Sequence, residues 1–169
     1  SVLTQYQRHH AKNDDRFAVF YQSLTSGSQP DDIAKWQSSI AEKTDWNTCA
    51  ELNSIHLFVK FYAISEYSVY FMPSDTEASS FCEGIVTTFL QKNNIQVSST
   101  VSKNLRYDGT DKFSRIGFPA LIGNVNTMIK KAHGNGELAI LNATPGYKAE
   151  TSILTLMGAI TKTPVFYTH

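Results

Sequence analysis

The chain has 169 residues, 41% of them hydrophobic, with 15 Lys and Arg against 15 Asp and Glu. That size and apolar fraction fit one domain with a core of its own and exclude a disordered segment. A formal net charge of zero excludes a protein that tracks long nucleic acid electrostatically, so an anionic ligand must be held locally, in a pocket.

Ser1–Gln7 opens the chain without a strand before it. Phe17, Phe20, Tyr21 and Leu24 recur at helical spacing within Asp14–Leu24, and the turn residues Ser26–Asp32 follow. Asp31 or Asp32 is placed to cap the next helix, where Ile33, Trp36 and Ile40 share a face. Leu52, Ile55, Val59 and Tyr62 predict a helix over Ala50–Tyr62. Tyr67–Met72 reads as a strand ending in Pro73-Ser74-Asp75, and Asp75 or Thr76 then caps a helix with Phe81, Ile85 and Phe89 at every fourth residue. Ile95–Val101 is the next strand, and Ser102–Phe113 is polar and irregular. Pro119 suits a first helical turn. Leu121, Ile122, Val125, Met128, Ile129 and Ala132 line the helix that Gly134-Asn135-Gly136 ends. Glu137–Leu141 is a strand and Tyr147–Thr161 a helix with Ile153, Leu154, Met157 and Ile160 on one side. Pro164–Thr168 closes as a strand.

Strand and helix alternate from Tyr67 onward, and the strands read as apolar rather than alternating. Strands of that kind are buried on both faces, which predicts an α/β fold with a mostly parallel central sheet and helices on both sides. Ligands of such sheets bind at the carboxyl ends of the strands, where the turns Met72–Thr76 and Leu141–Lys148 fall. The chain starts where a first central strand would already have ended and stops directly on a strand. Both ends suggest a piece of a longer protein whose first strand is missing from this sequence.

The stretch Leu138–Ala149, L-A-I-L-N-A-T-P-G-Y-K-A, carries the most specific signal. An apolar run, a polar turn with Pro145 and Gly146, and an immediate helical pattern form a loop that points backbone N–H groups at an anion. Lys148 adds a positive charge inside the first helical turn, where the helix dipole repels it unless something negative lies nearby. The segment reads as a phosphate site, with a purely structural βα loop as the alternative.

Other motifs weigh less. Gly134-Asn135-Gly136-Glu137-Leu138-Ala139 imitates a dinucleotide fingerprint but precedes a strand instead of following one. Walker, nucleophile-elbow and zincin patterns are absent. His9-His10 lacks a third ligand at useful spacing, so no metal and no cofactor is implied. Ser74-Asp75-Thr76-Glu77 is a helix cap on the ligand side of the sheet. Arg106 and Asp108 either grip a ligand or form a surface ion pair. Cys49 and Cys82, far apart, suit two thiols in a reducing cytoplasm. Neither a bilayer-spanning run nor a signal-peptide core occurs in the sequence.

These pieces together resemble the CRISPR-associated Rossmann-fold (CARF) domains, in the branch of ring nucleases and cyclic-oligoadenylate-activated effectors. Asn142-Ala143-Thr144-Pro145-Gly146-Tyr147-Lys148 resembles that branch's N-x-T-G-G-[FY]-K strand end. Ser1-Val2-Leu3-Thr4 resembles the end of its first motif, G-T-S-L-L-T. Ala50-Glu51-Leu52-Asn53-Ser54-Ile55 resembles its A-E-x-N-S-L helix, and Phe71–Glu77 its S-D-T loop. Pro145 departs from the pattern, stiffening the loop and removing one backbone donor.

The resemblance implies a Rossmann-like three-layer sandwich and a homodimer that binds one cyclic oligoadenylate, most simply cyclic tetra-adenylate, across its two-fold axis. It implies ligand contacts from Ser1, Val2, Leu3, Thr4, Ser74, Asp75, Thr76, Arg106 and the segment Asn142, Ala143, Thr144, Pro145, Gly146, Tyr147 and Lys148. Two functions are compatible with it. One is a cytoplasmic sensor that switches an effector domain or membrane module outside this chain. The other is a metal-independent ring nuclease in which Lys148 and Ser1 assist attack of a ribose 2′-hydroxyl on the adjacent phosphate, leaving a 2′,3′-cyclic phosphate. A mononucleotide-using Rossmann-like enzyme is a weaker alternative.

Overall fold

The Ser1 hydroxyl accepts the Thr4 backbone N–H at 3.4 Å and so caps the first helix, α1 (Val2–His10). In the computed structural model, residues 1–27, 32–105, 111–145 and 148–168 are described. They fall into two compact units, Ser1–Asn53 with Glu66–Val101, and Ser54–Ser65 with Ser102–His169.

In the first unit α1 is followed by α2 (Asp15–Ser26), α3 (Ile33–Glu42) and the start of α4 (Ala50–Phe61). Strand β1 (Ser68–Phe71), helix α5 (Glu77–Lys92) and strand β2 (Gln96–Ser99) complete it. Asp14 caps α2 through its carboxylate, which accepts from the N–H groups of Arg16 and Phe17 at 3.0 and 3.2 Å. Asp32 occupies the cap position of α3 without a side-chain bond, because its left-handed backbone (φ 61) departs from the extended geometry that such a cap needs. Asp31 lies outside the described residues.

The core of this unit is aromatic. Phe17 is fully buried, with ring centroids 5.1 Å from Tyr6 and 5.2 Å from Trp36. Phe20 meets Phe81 of α5 edge-on at 5.2 Å. Such pairs contribute about 0.5–1.5 kcal/mol each beyond the area that they bury. Along α5 the predicted stripe holds at Phe81 and Ile85, which are buried, whereas Phe89 is half-buried and Val86 and Leu90 complete the buried face. β1 and β2 pair in parallel, Val69 opposite Val97, and Thr100 N–H donates to the Phe71 carbonyl at 2.9 Å.

The second unit holds the rest of α4, helix α6 (Phe118–Gly134), strand β3 (Leu141–Asn142), helix α7 (Lys148–Thr161) and strand β4 (Val165–Phe166). A π-helical turn, Phe113–Gly117, precedes α6, and the Phe118 N–H reaches back to the Phe113 carbonyl. Pro119 follows directly and has no N–H to continue an α-type ladder there, which suits a local change of register. Gly117 in that turn lies so close to the Asn104 carbonyl that a side chain would collide with backbone. Leu121, Val125 and Ile129 form the buried stripe of α6, whereas Ile122 is exposed. β3 and β4 pair in parallel, with Leu141 opposite Val165 and Asn142 opposite Phe166.

The chain is therefore mixed α/β with parallel strand pairs, as the alternation predicts, but the described strands form two separate two-stranded sheets instead of the one central sheet expected. The strands differ from expectation. They are shorter, and the segment expected as a strand over Glu137–Leu141 contributes only Leu141, with Leu138 well exposed. Burial on both faces does not hold for the described strands: Gln96, Ser98 and Ser99 of β2 are exposed, and the residues of β3 and β4 are half-buried. The reason is visible in β2, where Val97 is the one apolar residue. In α7 the buried residues are Met157 and Gly158, and Ile160 of the expected stripe faces outward. Gly158 sits against Val165 and the Thr163 carbonyl, so the close helix–strand contact falls where the side chain is smallest.

Candidate functional site

The polar turn that follows β3 is built by its own side chains. Asn142 Oδ1 accepts the Thr144 backbone N–H at 3.1 Å, an Asx turn that bends the chain out of the strand. The Asn142 Nδ2 group donates to Ser54 Oγ of α4 at 2.7 Å. A backbone N–H only donates, so the carboxamide oxygen must face Thr144 and the amino group must face Ser54. Ala143, fully buried, donates its N–H to the Phe166 carbonyl at 2.8 Å, and its carbonyl accepts from Thr151 Oγ1 of α7 at 3.1 Å. Thr144 Oγ1 accepts the Thr168 N–H at 2.9 Å. One strand end is thus tied to α4, to α7 and to the residue two beyond β4.

This anchored turn leads into α7, whose first residue is Lys148. The opening N–H groups of any α-helix lack intrahelical acceptors, and the helix field there favours an anion. Lys148 is exposed, and among the described residues it makes no ion pair. Glu150 stands in the same first turn, so an acidic side chain of the protein already meets part of the helix field. Pro145 is half-buried, and Gly146 and Tyr147 lie outside the described residues. The loop can therefore offer a fixed polar turn, a helix start and one mobile-headed cation to an anionic group.

The other expected contacts among the described residues belong to the first unit. Ser1 is the cap of α1, its Oγ also lying 3.1 Å from Thr4 Oγ1. Val2 and Leu3, each 2% exposed, are core side chains, so only their backbone remains to meet a ligand. Burial pushes the Cys82 thiol of α5 up to about 11, against the opposing pull of the Leu3 backbone. Cys49 is driven further, to about 12, by burial and then by the nearby Glu51 carboxylate. Thr76 caps α5 by accepting the Ser79 N–H at 3.2 Å, and Ser74 Oγ lies 3.3 Å from Thr76 Oγ1. Ser74, Asp75 and Thr76 thus stand between the end of β1 and the start of α5, as expected of a strand-end loop. Arg106 and Asp108 lie outside the described residues.

A groove of about 340 Å³ in the first unit lies elsewhere, lined by residues including Tyr6, His9, His10, Lys43 and Asp45. It runs along α1 from Gln5 to His10, beyond the helix start that Ser1 caps. Its Asp45 carboxylate already accepts from the Asn47 N–H and Thr48 Oγ1, both at 2.9 Å. Among the described residues no three His, Cys, Asp or Glu side chains gather as a metal site, and both cysteines are free thiols. No helix among them is long and apolar enough to cross a membrane.

Sequence reasoning missed the partners that hold the loop: Ser54, Thr151 and Thr168. Ser54 carried a signal, since it belongs to the A-E-L-N-S-I segment singled out above, but nothing local linked it to Asn142, 88 positions away.

Fold and site together define a mixed α/β protein with an Asx-turned strand-end loop opening a helix. The profile of the family described as CRISPR-associated protein (Cas_APE2256) matches residues 46–169, most of the chain and all of that loop. The protein belongs to this CRISPR-associated family. No curated protein matches its sequence.

Proposed function

We propose that the chain is a sensor domain of a CRISPR antiviral system that binds a cyclic oligoadenylate, most simply cyclic tetra-adenylate, with Rossmann-like three-layer architecture. The observation that carries the reading is the anchored turn Asn142–Thr144, held from three sides, with the α7 start and its Lys148 four positions further along the chain. Membership of a CRISPR-associated family supports it from outside the geometry. A phosphate meeting such a loop loses little to reorganisation, since the turn is already formed.

In this reading Lys148 supplies the charge and the first turn of α7 supplies backbone donors. Each of two identical chains offers the same half-site to a two-fold-symmetric ring, so the binding species is a homodimer. Near-neutral charge elsewhere suits a small pocketed anion, not long nucleic acid. The output lies in an effector or membrane module outside this chain, and the domain itself works in the cytoplasm.

The test is incubation of purified protein with cyclic tetra-adenylate, without metal, followed by chromatography of bound and released nucleotide. Retained, intact ring supports the sensor. Linear products with a 2′,3′-cyclic phosphate would instead make the domain a ring nuclease, and no retention of either cyclic tetra-adenylate or the larger ring cyclic hexa-adenylate would overturn the reading.

A further inference from the structure

Ser54 is a polar side chain with no exposed surface, two positions after the fully buried Leu52 on α4. A serine in such a place needs a partner, and a hydroxyl that only filled space would be better replaced by a methyl group. Its Oγ receives the Asn142 Nδ2 group at 2.7 Å. The Thr144 N–H decides which end of the carboxamide faces it, since a flip would set donor against donor, and the Ser54 hydroxyl holds the other end of the group in place. With the rotation fixed, Oδ1 is held 3.1 Å from the Thr144 nitrogen and the Asx turn is formed before any ligand arrives.

We infer that Ser54 is a positioning residue for the anion-binding loop: it orients the Asn142 carboxamide and through it the turn that leads to Lys148. This rests on the reading of that loop as the ligand site, but its structural half stands on the hydrogen bonds alone. Ser54 touches no ligand itself. It acts from α4, on an unbroken chain of two hydrogen bonds, and it spares the ligand the entropy of ordering the turn.

The test uses the full chain and the variants Ser54→Ala, Ser54→Thr, Asn142→Ala and the double variant Ser54→Ala with Asn142→Ala. Without ligand, amide exchange followed by nuclear magnetic resonance should show faster exchange at the Thr144 N–H and the Asn142 side-chain amide in Ser54→Ala. Amides of α6 should be unchanged. Ser54→Thr, which keeps the hydroxyl, should restore protection.

With cyclic tetra-adenylate, Ser54→Ala should weaken binding about fivefold and Asn142→Ala about tenfold, the scale of one or two lost hydrogen bonds. The double variant should be no weaker than Asn142→Ala, since Ser54 then has nothing left to orient. Unchanged Thr144 exchange in Ser54→Ala overturns the inference. So does additive loss in the double variant, or wild-type affinity in Ser54→Ala when Asn142→Ala binds poorly. Wild-type affinity in both Asn142→Ala and Lys148→Ala would overturn the loop as the ligand site, and the exchange data would then judge the positioning role by itself.

Discussion

The Thr168 backbone N–H donates to Thr144 Oγ1 at 2.9 Å, so the loop after β3 is fastened to the chain just beyond β4. Two strand ends are joined by a side chain where the two-residue ladder between them has already run out. Thr144→Val keeps the shape and removes the acceptor, leaving a half-buried donor without a partner. It should lower stability by about 1 kcal/mol, while Thr144→Ser should not. Urea unfolding of the two variants checks this, and equal midpoints would show that the bond contributes nothing.

Three glycines separate by what faces them. A methyl group on Gly117 would meet the Asn104 carbonyl, and one on Gly158 would meet Val165 and, at 2.8 Å, the Thr163 carbonyl. Backbone cannot step aside cheaply, so Gly117→Ala and Gly158→Ala should each cost roughly 1–3 kcal/mol. At Gly84 the obstacle is the Gln37 carboxamide, the far end of a flexible side chain. Gly84→Ala should be near neutral, because better helix propensity, worth up to about 1 kcal/mol, offsets the shift of Gln37. Thermal unfolding midpoints decide it; a Gly84 variant as unstable as the other two would contradict the contrast.

The thiols set an alkaline limit. Burial raises Cys49 to about 12 and Cys82 to about 11 from an ordinary value of 9.0. In that window the unfolded chain gives up protons that the folded chain keeps. Stability is therefore fully present below about pH 9 and falls as the pH rises toward the folded values. Tyr67, also raised by burial, adds to the same slope. Cys82→Ala should flatten the decline between pH 9 and 11 in guanidinium titrations, and an unchanged slope would remove Cys82 from the effect.

Helix existence and the buried stripes of α2, α5 and α6 were legible because apolar residues three and four apart mark a face without help from distant chain. Thr76 as the cap of α5 and Pro119 in the first turn of α6 were legible for the same local reason. The strands were harder. Ile95–Val101 carries three polar residues in the observed strand, and its parallel partner is set by contacts far along the sequence. The π-helical turn before α6 has no signature of its own besides Pro119, and α1 was hidden because Ser1–Gln7 shows no clear periodicity. At the site, Asn142 and Lys148 announced themselves by chemistry, whereas Ser54 and Thr168 act through hydrogen bonds of sequence separation 88 and 24.

Calorimetric titration of the wild-type chain and Lys148→Ala with cyclic tetra-adenylate, in metal-free buffer, tests the central claim most directly. The account predicts saturable binding at one ring per two chains, weakened in the variant by about 1.5–3 kcal/mol, the worth of a hydrogen bond to a charged group. Affinity that is the same with and without the lysine would contradict it.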